Sequence, residues 1–403
     1  MAQRPGYDPR GILLCGSLIL MLALGIRQSF GLYLPPMTLD LGWGRETFAF
    51  AIALQNLVWG LAQPFAGAIA DRYGAGRVLA VGGACYAGGL ALMALATSGA
   101  EFALTAGLLV GLGLSGTSFG VVMGVVGRAF DDRSRSAALG IVGAGGSFGQ
   151  FVMLPYGQFL IESLGWQWAL AVMALSSALI VPLAAALAGR PAGFGAGGAL
   201  NFSQALAEAR GHRGFWYLTL SFLVCGFQTL FIMLHLPAYL LDRGMTAATG
   251  MTALALVGAL NILGSYAFGV LGNRRSKKNL LATIYLVRAA TIGVFLLVPV
   301  TALSVYVFAA VMGFTWLGTV PLTNGLVAQI FGVNFLSTLF GIAFLGHQVG
   351  SFLGAWYGGY IFDLTGSYQA VWLFAIGLSL VAAGLCWPID ERRIERARAP
   401  AEA

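Results

Sequence analysis

Two arginines stand where charge is costly. Arg27 lies nine residues before Pro36 within an apolar run, and Arg288 is nearly central in another. An ionisable side chain at such depth costs several kcal/mol unless paired or hydrated, so each marks a functional position. No carboxylate is equally deep, because Asp40, Glu46, Glu101, Glu162, Asp242 and Asp363 all fall at segment ends or in loops. Two buried cations without a buried counter-ion define a positive cavity. A substrate anion would complete it, and the planar guanidinium fork suits both oxygens of a carboxylate. His235 and His347 are also mid-run; histidine titrates near physiological pH, so either can carry a proton or donate to a carboxylate. Either can equally serve as hydrogen-bonded glue between helices. Gln28 follows Arg27, Gln348 follows His347, and Ser351 shares the His347 face at i+4. Gln228 sits seven residues before His235 on one stripe. Asn261 is a further candidate, and Asn56, Gln150, Ser265, Thr319 and Asn324 are polar positions suited to interhelical hydrogen bonds.

Other chemistries lack their residues. The sequence holds no phosphate-binding Walker loop, no HExxH, no nucleophile elbow and no Cys/His metal cluster. Cys15, Cys85, Cys225 and Cys386 sit inside apolar runs without ligand spacing and read as small packing residues. The glycine string over residues 143–149 imitates a dinucleotide fingerprint but has no βαβ context. Neither an enzyme nor a cofactor is expected, and energy for any transport must come from solute or proton gradients.

The elements that position these residues follow from composition. Of 403 residues 58% are hydrophobic and only 9% charged, with a mean hydropathy of +0.83. A soluble domain carries about 25% charged residues, so this surface must face lipid. The 58 glycines suit close helix approach in a membrane. Spanning takes roughly 20 apolar residues, and twelve segments qualify: 12–36, 47–70, 77–98, 101–127, 136–161, 167–189, 214–241, 248–271, 279–299, 302–327, 335–362 and 368–388. All but Arg27, Arg45, Arg243 and Arg288 of the 22 basic residues fall on one side of this arrangement. The positive-inside rule then predicts both termini in the cytoplasm, in a cytoplasmic (inner) membrane. The net charge of +7 is thereby explained without nucleic acid.

The longest break, residues 190–213, separates a six-helix bundle over 1–189 from a second over 214–403. Within it, residues 201–210 read as a short amphipathic surface helix capped by Asn201 or Ser203. The halves align at a constant offset of 201: Gly25 falls on Gly226, Pro36 on Pro237, Gly149 on Gly350 and Gly165 on Gly366. This is a parallel duplication, and substrate sites in such folds lie between the halves near mid-bilayer. The symmetry breaks where Arg27 corresponds to Gln228 and Asp71 lies near the degraded copy's Asn273.

The loop Gly67-Ala-Ile-Ala-Asp71-Arg72-Tyr-Gly-Ala-Gly-Arg77 resembles the signature loop of the major facilitator superfamily. That resemblance implies an all-α integral membrane fold of twelve helices in two pseudo-symmetric bundles, with helices 1, 4, 7 and 10 lining the cavity. It implies a gating role for Asp71 near the inner end of helix 11; on physical grounds Arg72 and Arg77 can reach Asp131 or Asp132, and a simple positive-inside anchor is the alternative. It also ranks Arg27, in helix 1, above Arg288, whose place in the peripheral helix 9 leaves contact with backbone carbonyls open. A narrower resemblance, to the monocarboxylate-porter and oxalate–formate exchanger group, rests on Ala205-Leu-Ala-Glu-Ala-Arg210 before Phe215-Trp216, on Arg135 to Gly146, and on Gly346-His-Gln-Val-Gly-Ser-Phe-Leu-Gly354. The group's usual basic residue in helix 8 falls near Ser265, and a lysine of helix 11 falls on His347. The expectation is a secondary transporter, functional as a monomer, for a small organic anion of monocarboxylate type. It would work by alternating access with proton symport or exchange. An efflux pump for amphipathic or neutral molecules is the alternative, and a non-transporting receptor the third reading.

Overall fold

The structure is a computed structural model that describes residues 9–130, 135–188, 207, 209–332 and 336–394. Among the described residues, twelve helices are long and apolar enough to cross a membrane. Numbered in chain order, the first six are α1 Arg10–Gln28, α2 Arg45–Ala70, α3 Ala75–Met93, α4 Gly99–Val126, α5 Ala138–Leu164 and α6 Trp166–Leu187. The second six are α7 Arg213–Asp242, α8 Ala247–Gly272, α9 Lys277–Leu297, α10 Ala302–Phe331, α11 Leu339–Thr365 and α12 Gln369–Cys386. No strand occurs among the described residues. The expected surface helix over 201–210 falls largely outside them, as do Asp131, Asp132 and the side chain of Asp71.

The duplication shows in how the helices touch. Gly25 of α1 and Gly149 of α5 let those two backbones meet, because a Cβ on either would strike a carbonyl of the other helix. Gly226 of α7 and Gly350 of α11, each 201 residues later, do the same against His347 and Leu223. Small residues permit this approach, which dispersion and weak polar contacts then stabilise. Each bundle also pins a peripheral helix to a central one by a tyrosine. Tyr86 of α3 donates to the Ala23 carbonyl at 2.9 Å, and Tyr285 of α9 to the Ser221 carbonyl at 2.5 Å.

Among the described residues four spans are interrupted where uniform hydropathy predicts unbroken helices, α6 among them at Leu179. α1 ends at Gln28, and Ser29 turns the chain by donating to the Ile26 carbonyl at 2.7 Å. A second helix, Phe30–Leu41, continues it through Pro35 and Pro36, which supply no backbone N–H. α4 breaks at Ser118, between helices ending at Thr117 and resuming at Phe119. α10 breaks between Thr315 and Thr319. Ser118 and Thr319 are again 201 apart, so the duplication carries the break as well as the helices.

Among the described residues, charged contacts bind the halves together at the end carrying Arg45. Arg45 pairs in two-pronged fashion with Asp242 at 2.6 and 2.7 Å. Asp363 accepts from the backbone N–H groups of Arg45 and Glu46 at 3.0 and 2.8 Å. A carboxylate of one half thus caps the α2 N-terminus of the other, where the helix dipole favours negative charge. Trp356 donates to Glu46 at 2.9 Å. At the opposite end, Lys278 donates to the Trp387 and Ile389 carbonyls, tying the second half to its own tail.

Candidate functional site

The nine candidate binding residues fall into three groups. The first surrounds Arg27, in the last turn of α1 just before the Ser29 break. A cation is favourable at that helix end. One terminal nitrogen donates to Asn56 Oδ1 of α2 at 2.6 Å. The other makes only a 3.9 Å contact with the Met233 thioether, a weak acceptor, and Nε has no partner. The guanidinium lies 5.1 Å from the centre of the Trp59 ring. Arg27 is partly exposed, and no carboxylate is among these described partners. From the other half, Gln348 Nε2 donates to the Asn56 carbonyl at 3.2 Å, and its Oε1 meets His347 Nδ1 at 3.2 Å. Arg27, Asn56, Gln348 and His347 therefore form one polar chain across the interface of the halves. His347 Nε2 is buried without a partner, and Gln28 Nε2 likewise. Rings border the chain: Phe344 packs edge-on to Trp59 and parallel to His347, while Phe222 lies 4.7 Å from His347. Ser351, one turn along α11, donates to the Gly226 carbonyl at 3.3 Å and secures α11 on α7.

The second group surrounds Arg288, which is 0% exposed. Its Nη2 donates to the Thr315 and Trp316 carbonyls at 2.5 and 2.6 Å, the groups set free where α10 breaks. Its Nη1 reaches Gln228 Oε1 and Cys225 Sγ, both at 3.4 Å. Gln228 donates in turn to Ser379 and to the Ala375 carbonyl. Asn261 Oδ1 accepts from Leu317 N–H at 3.1 Å, on the other side of the same break. Arg288, Gln228 and Asn261 thus converge on an unwound segment of backbone, apart from Arg27. Of the two readings open for Arg288, this geometry favours the carbonyl contact.

His235 makes the third group, nearer the Arg45 end. Its Nε2 lies 2.8 Å from the Ala355 carbonyl and its Nδ1 3.1 Å from the Tyr368 hydroxyl. Arg45 Nη1 donates to that hydroxyl at 3.0 Å. Burial pushes the Tyr368 phenol above its ordinary range, so it stays protonated and can donate. Of the expected gating residues, Arg72 and Arg77 are exposed, with the Arg72 guanidinium 5.2 Å from the Tyr73 ring centre. Their expected partners lie outside the described residues.

The model of the Major Facilitator Superfamily matches residues 13–354. The chain belongs to that superfamily. Among its relatives, this member of the Major Facilitator Superfamily is 24% identical over 375 residues to the uncharacterized MFS-type transporter YcxA of Bacillus subtilis (strain 168), covering 88% of this chain and 89% of the relative. It is 26% identical over 368 residues to monocarboxylate transporter 13 of Rattus norvegicus, covering 90% and 85%. A bacterial homologue of the human lysosomal transporter Spinster, inward-facing and occupied, superposes with a TM-score of 0.74 at 15% identity, covering 95% of this chain and 97% of that one. A point mutant of the nucleoside transporter NupG gives 0.76 at 16% identity, covering 94% and 99%. These two establish the fold of a superfamily transporter.

Residues beyond the sequence-based candidates complete the site. Trp59 reads as apolar filler in sequence, although its place three residues after Asn56 puts both on one helical face. Phe344 belongs to an i+4 series on α11, Phe340, Phe344, Gln348, Phe352, Trp356 and Tyr360, in which Gln348 alone is non-aromatic. That pattern is visible in the sequence.

Proposed function

We propose that the chain is a secondary transporter moving a small organic anion of monocarboxylate type by alternating access. One observation carries this reading: Arg27 sits mid-span, partly exposed, with unused donors and an uncharged neighbour, Asn56, as its hydrogen-bond partner. A carboxylate entering there gains charge-assisted hydrogen bonds from a cation already desolvated. With Arg288 occupied by carbonyls, one guanidinium remains for substrate, which suits one carboxylate better than two. The names of the monocarboxylate transporter relatives support the same class. In this reading His347 and Gln348 complete the site from the second half, and Asp71, Arg72 and Arg77 gate the opposite end. Both termini lie in the cytoplasm, as the distribution of basic residues implies, and a proton or a counter-anion supplies the drive. The rings of Trp59, Phe344 and Phe222 favour export of a neutral amphipathic molecule as the second reading.

The test is counterflow of radiolabelled monocarboxylates in proteoliposomes, guided by a thermal-shift screen, since a bound anion stabilises the fold by mass action. Arg27→Ala is expected to abolish both flux and ligand-induced stabilisation. Unchanged anion flux in Arg27→Ala and Arg27→Lys would overturn the reading.

A further inference from the structure

The closed end contains a directional relay whose polarity is fixed by the chemistry of its members. The Ala355 carbonyl only accepts, so His235 Nε2 carries the proton and donates at 2.8 Å. Neutral His235 therefore offers a lone pair at Nδ1, and the Tyr368 hydroxyl donates into it at 3.1 Å. The Tyr368 oxygen in turn accepts from Arg45, which holds Asp242 with its two terminal nitrogens. Gly358 leaves the room the imidazole needs, because a Cβ there would sit 2.6 Å from two ring atoms.

Charge is divided unequally across this relay. His235, Asp242, Asp363 and Tyr368 all belong to the second half, and Arg45 to the first. Among the described residues, the further charged or titratable groups here include Glu46, bound by Trp356, and Tyr239 and Arg243, the Arg243 guanidinium lying over the Tyr239 ring. When the halves part at this end, Asp242 loses the Arg45 guanidinium and Asp363 loses the two backbone N–H groups it caps. His235, two turns before Asp242 on α7, is the base left at this end.

We propose that His235 is a proton-binding site that takes the place of Arg45, so that protonation at Nδ1 opens the Arg45 end. The proton comes from water at that end and forms an N–H bond at Nδ1, while Tyr368 keeps its own proton and turns it away. In the closed state an imidazolium would compete with Arg45 for one phenol oxygen and repel a cation. In the open state the imidazolium no longer faces Arg45, and Asp242, two turns along the same helix, is left without its cation. A proton that binds the open state better stabilises that state by the same factor. The inference rests on the alternating-access reading and assigns its proton to His235.

The experiment uses the full chain in lipid nanodiscs, with Cys15 and Cys85 replaced by serine and spin labels at Leu39→Cys and Leu303→Cys, two exposed positions near this end on opposite halves. Lowering the pH from 8 to 5 is expected to raise the long-distance population by roughly tenfold, within the usual range of site-to-site coupling. His235→Gln keeps a donor for Ala355 and an acceptor for Tyr368, and is expected to stay closed at both pH values. Tyr368→Phe removes the bridge and is expected to be more open at every pH. A His235→Gln protein that titrates like the parent, or a parent that does not respond, overturns the proposal. Arg27→Ala separates the two readings, because it is expected to lose anion flux and keep the pH response.

Discussion

The two deep arginines differ in what surrounds them, and in the function proposed above that difference assigns one to substrate and the other to stability. Arg288 is enclosed by acceptors, two of them carbonyls released by the break in α10. Arg27 is partly exposed and holds one strong acceptor, Asn56, whereas Nε is unpartnered in both arginines. A cation surrounded by acceptors stabilises the backbone it binds, whereas one left short of acceptors is held ready for a ligand. The same contrast distinguishes the halves. The break in α4 is held by neutral groups, Trp59 donating to Ser118 at 3.0 Å and Ser118 to Gln63 at 2.6 Å. Its counterpart in α10 is held by a charge.

The largest expected effect comes from Arg27. Arg27→Ala should lower anion flux by about 100-fold, since a bidentate charge-assisted pair is worth about 3 kcal/mol. Its melting temperature should not fall, and uptake and melting in one preparation check both. Next, Arg288→Met should lose about 2–5 kcal/mol through unsatisfied carbonyls, read as a lower melting temperature or less folded protein. Equal stability of the two variants would erase the contrast. Gly358→Ala should cost about 1–3 kcal/mol by displacing the His235 ring, and thermal melts measure it. The smallest effect belongs to Asp390, whose carboxyl the Arg392 hydrogen bonds hold down at about 2. Its folded value lies below its ordinary one, so any contribution is present above the ordinary value and lost only as pH falls through about 2. Asp390→Asn should therefore melt like the parent between pH 5 and 8, as expected of an exposed pair.

Much of the frame was legible because hydropathy and a fixed offset are local or repetitive signals. Twelve spans, the paired glycines at Gly25 and Gly226, and Arg27 as a deep cation all stand in the sequence. The use of Arg288 was legible only as one of two readings, because α10 reads as continuous apolar residues and does not say which carbonyls, those of Thr315 and Trp316, lose helical partners. The latch at Arg45 was hidden for another reason. Arg45, Asp242 and Asp363 look like ordinary loop charges until the fold brings together residues up to 318 positions apart. His235 could not be assigned for the same cause, since Tyr368 lies 133 residues away. The sequence separation of such contacts, rather than weak patterning, limits what one chain reveals.

The paired breaks, at Ser118 in α4 and over residues 316–318 in α10, have a mechanical consequence. Each divides a central helix into two levers meeting at a joint. In the second half a guanidinium clamps that joint through two carbonyls, so force applied at one end of α10 passes to the other with little give. In the first half the joint is sprung on a hydroxyl, an indole and an amide, which can exchange partners with small loss. A molecule built from one stiff lever and one compliant one bends mostly on one side, and Arg27 lies on the compliant side.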